Sequence, residues 1–307
     1  VHPIPEALQE YVHRYLLRWL HEDSDEEAEA AGGEELLEDV YTGETRVLRA
    51  PHLRLPKRVE GATLIVEGSV VCESDLYNVQ LLAAGDVRIE GWCSHAVVIA
   101  LGDLTVHSAV YSHLFAWRQL SVQKEARFSS LQAAEIEAEE AVLFGGQLVA
   151  AERIRVRQLR WAFGEHALVL SIGTPYLQQL EQEHWRSVFR RLRERLQQIQ
   201  QELEQLLQMR RNRPLEHIQR LQREYARLHE QLQQVEGRLY GKSSRKPVIE
   251  VRESIPADAI VAIHGVVYQV PAELIAVRFT SDGMRIVLES LPDEGGEQVA
   301  DGTVQPG

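Results

Sequence analysis

Only two cysteines occur in 307 residues, Cys72 and Cys93, which excludes the disulfide framework that holds small secreted domains together. They fall in or beside apolar columns of neighbouring repeats but in different columns, and both read as buried thiols. No apolar run approaches the roughly 18 residues of a membrane-spanning helix, and no signal-peptide pattern is seen, so a cytoplasmic protein without membrane insertion is expected. An excess of basic residues is lacking too. The net charge of −13 argues against nucleic acid as a partner. Much of the acid is local: residues 22–39 hold ten acidic side chains and no basic one.

What the sequence does have is repetition. From residue 51 to 171 it returns to itself about every 17 residues. One column reads Leu53, Val70, Val87, Leu104, Leu120, Ile136 and Ile154; two places on stand Leu55, Cys72, Ile89, Val106, Val122, Ala138 and Val156. A second pair of columns reads Leu64, Leu81, Val98, Leu114, Leu131 and Leu148, then Val66, Ala83, Ala100, Ala116, Ala133 and Ala150. Apolar residues at i and i+2 lie on one face of a strand. A lone coil has nothing to pack against, so the coils must stack. The fold class expected is mainly β: a single-stranded β-helix, or β-solenoid, of about seven coils, right-handed, each of roughly 16–18 residues. The alanine column implies a tight corner.

Around this core the chain divides readily. Residues 1–21 form an amphipathic helix with Leu8, Val12, Leu16 and Trp19 on one face, expected to cap the open end of the solenoid or to bind a partner. An acidic linker spans 22–45 and the solenoid 46–173. From 174 to 240 the apolar period becomes 3.5: Trp185, Phe189, Leu192, Leu196, Ile199, Leu203 and Leu206, then Ile218, Leu221, Tyr225, Leu228, Leu232, Val235 and Leu239. Pro214 breaks the helix between the two runs, predicting an antiparallel coiled-coil hairpin. Its tip carries Arg210, Arg211 and Arg213, a solvated loop or a docking patch for an acidic surface. Strand patterns resume over 241–291, with a hairpin turn at Thr280-Ser281-Asp282-Gly283, and should close the C-terminal end; 292–307 reads as a disordered tail.

Chemistry is harder to assemble. Asp86 and Asp103 follow Gly85 and Gly102 at the start of successive coils, and stacking brings them within about one strand spacing. A carboxylate pair can bind calcium or act as acid and base; with no third acid or base beside it, turn chemistry is the better reading. A solenoid enzyme acting on acyl or carbohydrate substrates would draw on His95, His107 and His113, but the repeat is not the six-residue repeat of acyltransferase helices, and no pocket can be composed. No catalytic, cofactor or metal residue is assigned. The candidate interaction residues are Arg210, Arg211 and Arg213 at the tip and Leu8, Val12, Leu16 and Trp19 on the helix.

The coils Ala83-Ala84-Gly85-Asp86-Val87-Arg88-Ile89 and Ala100-Leu101-Gly102-Asp103-Leu104-Thr105-Val106 resemble the repeated Ala-x-Gly-Asp coils of the bacterial flagellar assembly protein A family. Phe144-Gly145-Gly146 with Ala150 to Ile154, the hairpin entry at Ile172-Gly173-Thr174-Pro175 and the return at Val248 to Ile263 are similar to that family's layout. The resemblance covers roughly 60–291. It implies a non-enzymatic cytoplasmic protein serving flagellar assembly or polar positioning. The expected role is a scaffold, most simply a homodimer, holding surfaces for protein partners; a bactofilin-like filament former is the alternative.

Overall fold

The computed structural model describes residues 4–21, 34–161, 167–208, 215–240 and 246–292; at residues 7 and 34 and over 17–21 it describes the backbone alone. The chain forms two compact units, residues 1–175 with 246–307, and residues 176–245.

The first unit is a β-solenoid of about seven turns. On one face Thr63–Val66 pairs in parallel with Gln80–Ala83, which pairs with Val97–Ala100 and so on to His113–Ala116. Leu64, Leu81, Val98 and Leu114 therefore stand one above another, each fully buried. On a second face Leu53, Val70, Val87, Leu104 and Leu120 stack in the same way. A third, shorter face places Leu76 on Val59, Cys93 on Leu76 and Ala109 on Cys93. All three sets belong to one continuous core. Each buried leucine contributes about 1.5–3 kcal/mol relative to exposure. The two thiols lie in this core and are free; burial pushes Cys72 up to about 11 and Cys93 to about 12.

Gly68, Gly85 and Gly102 open successive coils because there is no room for anything larger. Their backbones bond directly, Gly85 N–H to Gly68 carbonyl at 3.0 Å and Gly102 N–H to Gly85 carbonyl at 3.2 Å. A Cβ at Gly68 would run into the Ala50 and Pro51 carbonyl oxygens, which are backbone and cannot swing aside. A second corner has a different rule. Gly61, Asn78, His95, Tyr111, Phe128 and Gly145 each adopt a left-handed backbone, φ 47° to 65°, once per coil. That conformation costs a bulky residue about 1–2 kcal/mol. Stacking returns a share: the Tyr111 and Phe128 rings lie 4.9 Å apart and 9° from parallel, an arrangement worth about 0.5–1.5 kcal/mol.

The expected boundaries move at the N-terminal end. Within the stretch read as an acidic linker, Glu34–Leu36 is a strand on His52–Leu55, and Thr45–Leu48 pairs with Thr63–Val66, so the solenoid begins before residue 46. Residues 22–33 of that stretch lie outside the described residues. At the other end parallel winding stops. Val248–Ile255 adds to the second face in parallel, then Leu274–Ser281 and Ile286–Ser290 follow antiparallel. On the first face Ile260–Ile263 turns back as Val266–Gln269. The Tyr268 and Phe279 rings, one from each face, meet 6.2 Å apart at this end, with Phe279 fully buried. The anticipated turn at 280–283 is present, with Gly283 at φ 93° and the Asp282 carboxylate accepting the Met284 and Arg285 N–H groups at 2.9 Å. Of the predicted tail, 292–307, all but residue 292 lies outside the described residues.

The second unit holds α2 (Tyr176–Gln208) and α3 (Leu215–Tyr240), packed together. Arg195 bonds Glu224 at 2.8 Å, and one heptad further along α2 Glu202 meets His217, one heptad earlier on α3, at 2.8 Å. The helices therefore run antiparallel. Trp185, Leu196, Ile199, Ile218, Leu221 and Val235 are buried among the heptad positions. The Arg238 guanidinium sits 4.7 Å from the Trp185 ring.

Replacing Gly68 by alanine should lower stability to urea by about 1–3 kcal/mol, the cost of overpacking. A control such as Gly173→Ala, where an added Cβ meets nothing nearer than the Ser171 Oγ at 3.8 Å and the backbone is not left-handed, should lose less than Gly68→Ala. Equal losses would contradict the stacked-glycine account.

Candidate interaction surfaces

The amphipathic helix, α1 (Glu6–His21), does not cap the solenoid. Leu8, Val12 and Leu16 are buried, together with Ile4, and the helix contacts the strand Gln80–Ala83 on the flank. The reason lies in an outward column. Ile65, Leu82, Ile99 and Phe115 stand in register, and each alternates with residues of the core, so it points away from the interior. Yet all four are fully buried. The expectation of an end cap is corrected: α1 shields an apolar stripe on the first face. Tyr15 at its inner edge donates a hydrogen bond to Glu67 at 3.4 Å, and burial raises the phenol pKa. Of the candidate interaction residues, Leu8, Val12 and Leu16 are thus committed to this chain's own packing. The Trp19 side chain and Arg210, Arg211 and Arg213 lie outside the described residues.

The Asp86 and Asp103 carboxylates do hold turns. Asp86 accepts the Asp103 N–H at 2.8 Å, and Asp103 accepts the Gln119 N–H at 3.2 Å. A basic group does join them, contrary to expectation: Arg118 reaches both carboxylates at 3.1 Å. The two carboxylates are thereby bridged by a guanidinium. Among the described residues no group of three or more metal-capable side chains comes together.

The three histidines are separate. His95 lies in the ring stack, 5.7 Å from Tyr77 and 5.3 Å from Tyr111. His107 approaches Gln123 at 3.4 Å, and His113 is exposed on a strand of the first face.

One shallow depression, about 400 Å³, is lined by Arg155, Glu250, Arg252 and Arg278 near the closed end. Its charges meet one another. Residues Glu137, Arg155, Glu250, Arg278 and Glu289 occupy equivalent positions on adjacent strands with alternating sign. Arg155 lies 3.2 Å from Glu250, which lies 2.8 Å from Arg278. Arg252 pairs with Glu139 at 2.8 Å. Each exposed pair is worth at most about 1 kcal/mol, but alternation penalises any slip of the antiparallel strands. This ladder was not read from the sequence, because its members are far apart in the chain and lie on strands of both directions. A second depression, about 520 Å³, lies beside Trp161, whose indole N–H donates to the Ala257 carbonyl at 2.7 Å.

The fold and surfaces define a class: a β-solenoid interrupted in sequence by an antiparallel helical pair before its last strands, with acid paired to base along its corner at Asp86 and Asp103 and along its outer ladder. The family model for the flagellar assembly protein A (FapA) beta solenoid domain matches residues 58–286. That is well over half of the chain, and the chain belongs to this family. No curated protein and no solved structure matches it significantly.

If α1 shields the Ile65 to Phe115 column, Leu8→Asp should release it. Tryptic cleavage at Arg14 should accelerate at least about tenfold while the solenoid stays folded. Unchanged cleavage would show that the helix is held by something else.

Proposed function

We propose that the chain is a non-enzymatic scaffold serving flagellar assembly, built to hold protein-binding surfaces at fixed positions, and that it works in the cytoplasm as a homodimer. Family membership supports the link to flagellar assembly. The observation that carries the scaffold reading is how the polar side chains are used: the carboxylates and guanidiniums of the corner at Asp86 and Asp103 and of the charged depression are engaged in ladders, with Arg118 closing the Asp86 and Asp103 pair. An enzyme needs converging polar groups left available to a substrate. The acidic balance favours protein over nucleic acid as partner. Among the described residues no helix is long and apolar enough to cross a membrane. The helical unit supplies the self-association surface, since a heptad seam accepts further helices readily.

A bactofilin-like polymer is the second reading, favoured by the partly exposed apolar side chains of the first solenoid turn. The antiparallel strands at the C-terminal end count against it.

Light scattering on the whole chain and on a variant in which a short linker replaces 176–245 decides between these. The cut joins two strands that both pair with the Gly146–Arg160 strand, so the solenoid survives it. A dimer that becomes a monomer on deletion is the expected result. Growth into filaments that persists after deletion would establish the polymer, and a monomer in both cases would remove self-association from the account.

A further inference from the structure

The two ends of the solenoid differ. The C-terminal end is closed by antiparallel strands and by the Tyr268 and Phe279 rings. The N-terminal end begins with two short strands, Glu34–Leu36 and Thr45–Leu48, each paired on one side only among the described residues. The carbonyls of Glu44 and Leu48 accept the N–H groups of Thr63 and Glu67 at 2.8 and 3.0 Å. Backbone groups alternate in direction along a strand, so those of Thr45 and Val47 point off the free edge. In the other strand the Leu37 N–H bonds the Arg54 carbonyl at 3.0 Å, which turns the Leu36 groups outward in the same way.

The apolar side chains at this end are also incompletely covered. Leu37, Val40 and Leu48 pack on the core but are only half-buried, and Leu36, Tyr41 and Val47 are 53%, 67% and 46% exposed. Natural proteins blunt such edges with lysine, proline or a covering helix. Here α1 lies on the flank instead. The setting carries more acid than base: Glu35, Glu38, Asp39 and Glu44 surround the edge, against Arg46, Arg49 and Lys57, and Lys57 reaches both Glu38 and Asp39 at 3.4 and 3.5 Å.

We propose that this end receives an extended, basic segment of a protein partner, added as a further strand along Thr45–Leu48. Backbone pairing supplies the affinity, Leu36, Val47 and Leu48 supply apolar contact, and the carboxylates select for lysine and arginine. A second copy meeting end to end at this edge would bring two acidic ends together, which like charge opposes. The inference deepens the scaffold reading by naming a binding surface and its partner's chemistry. It uses a different surface from the helical unit, so either can fail alone.

The test uses the full chain and a fluorescein-labelled peptide of alternating lysine and valine, with a glutamate–valine peptide as counterpart. Anisotropy should show binding of the basic peptide alone, weakened at least about tenfold by Glu35→Lys with Glu38→Lys, a loss of about 1.4 kcal/mol. Val47→Pro removes an outward donor without touching a bond to Thr63–Val66 and should weaken binding as much. Amide exchange by NMR reads the wild type directly: the peptide should slow the Thr45 and Val47 N–H groups and leave Arg46 and Leu48 unchanged. Absence of binding, equal binding of the acidic peptide, or binding that leaves the Thr45 and Val47 amides unprotected would overturn the proposal. So would concentration-dependent end-to-end association of the chain that Val47→Pro abolishes, since the occupant would then be a second copy.

Discussion

Every strand of the solenoid bonds to its equivalent one coil away, and that single constraint sets the rest. Because the pairing is in register, whatever residue stands at a position meets its own counterpart above and below. Inward positions must therefore be apolar in every coil, as Leu64, Leu81, Val98 and Leu114 are. Positions at tight corners must be small in successive coils, which is why Gly68, Gly85 and Gly102 are stacked backbone to backbone. Like charges cannot be repeated outside without relief. Two aspartates in line are bridged by Arg118, and where the C-terminal strands join, acid and base alternate from Glu137 to Glu289.

The same constraint explains what the sequence could and could not convey. A column of side chains that must all be alike is visible as periodicity, so the two main faces, their register and the thiols among them were legible. The heptads of α2 and α3 were legible for the same reason, and the antiparallel pairing fixed by Arg195 with Glu224 followed from Pro214. The left-handed corner was not, because its rule concerns backbone. Gly61, Asn78, His95, Tyr111, Phe128 and Gly145 share a φ but no chemistry. The place of α1 was missed because Ile65, Leu82, Ile99 and Phe115 alternate with core residues and were not read as a stripe of their own. Once that outward column is recognised, it needs cover, and an amphipathic helix is a natural one.

These features bear on function through the distribution of unused binding capacity. Interior, corners and outer ladders are largely satisfied within the chain. Among the described residues, the edge of the first turn keeps outward backbone groups and exposed apolar side chains. Membership of the FapA beta solenoid family places the chain among proteins named for flagellar assembly.

The central physical claim is that stacked register makes the solenoid one cooperative unit while the helical pair is separate. Hydrogen exchange followed by mass spectrometry tests it most directly. The strands from Thr63 to Ile172 and from Val248 to Ile263 should exchange together in a single slow step, and Tyr176–Tyr240 should open on its own, faster. Coils that open one by one, or a helical pair that exchanges only when the strands do, would contradict it.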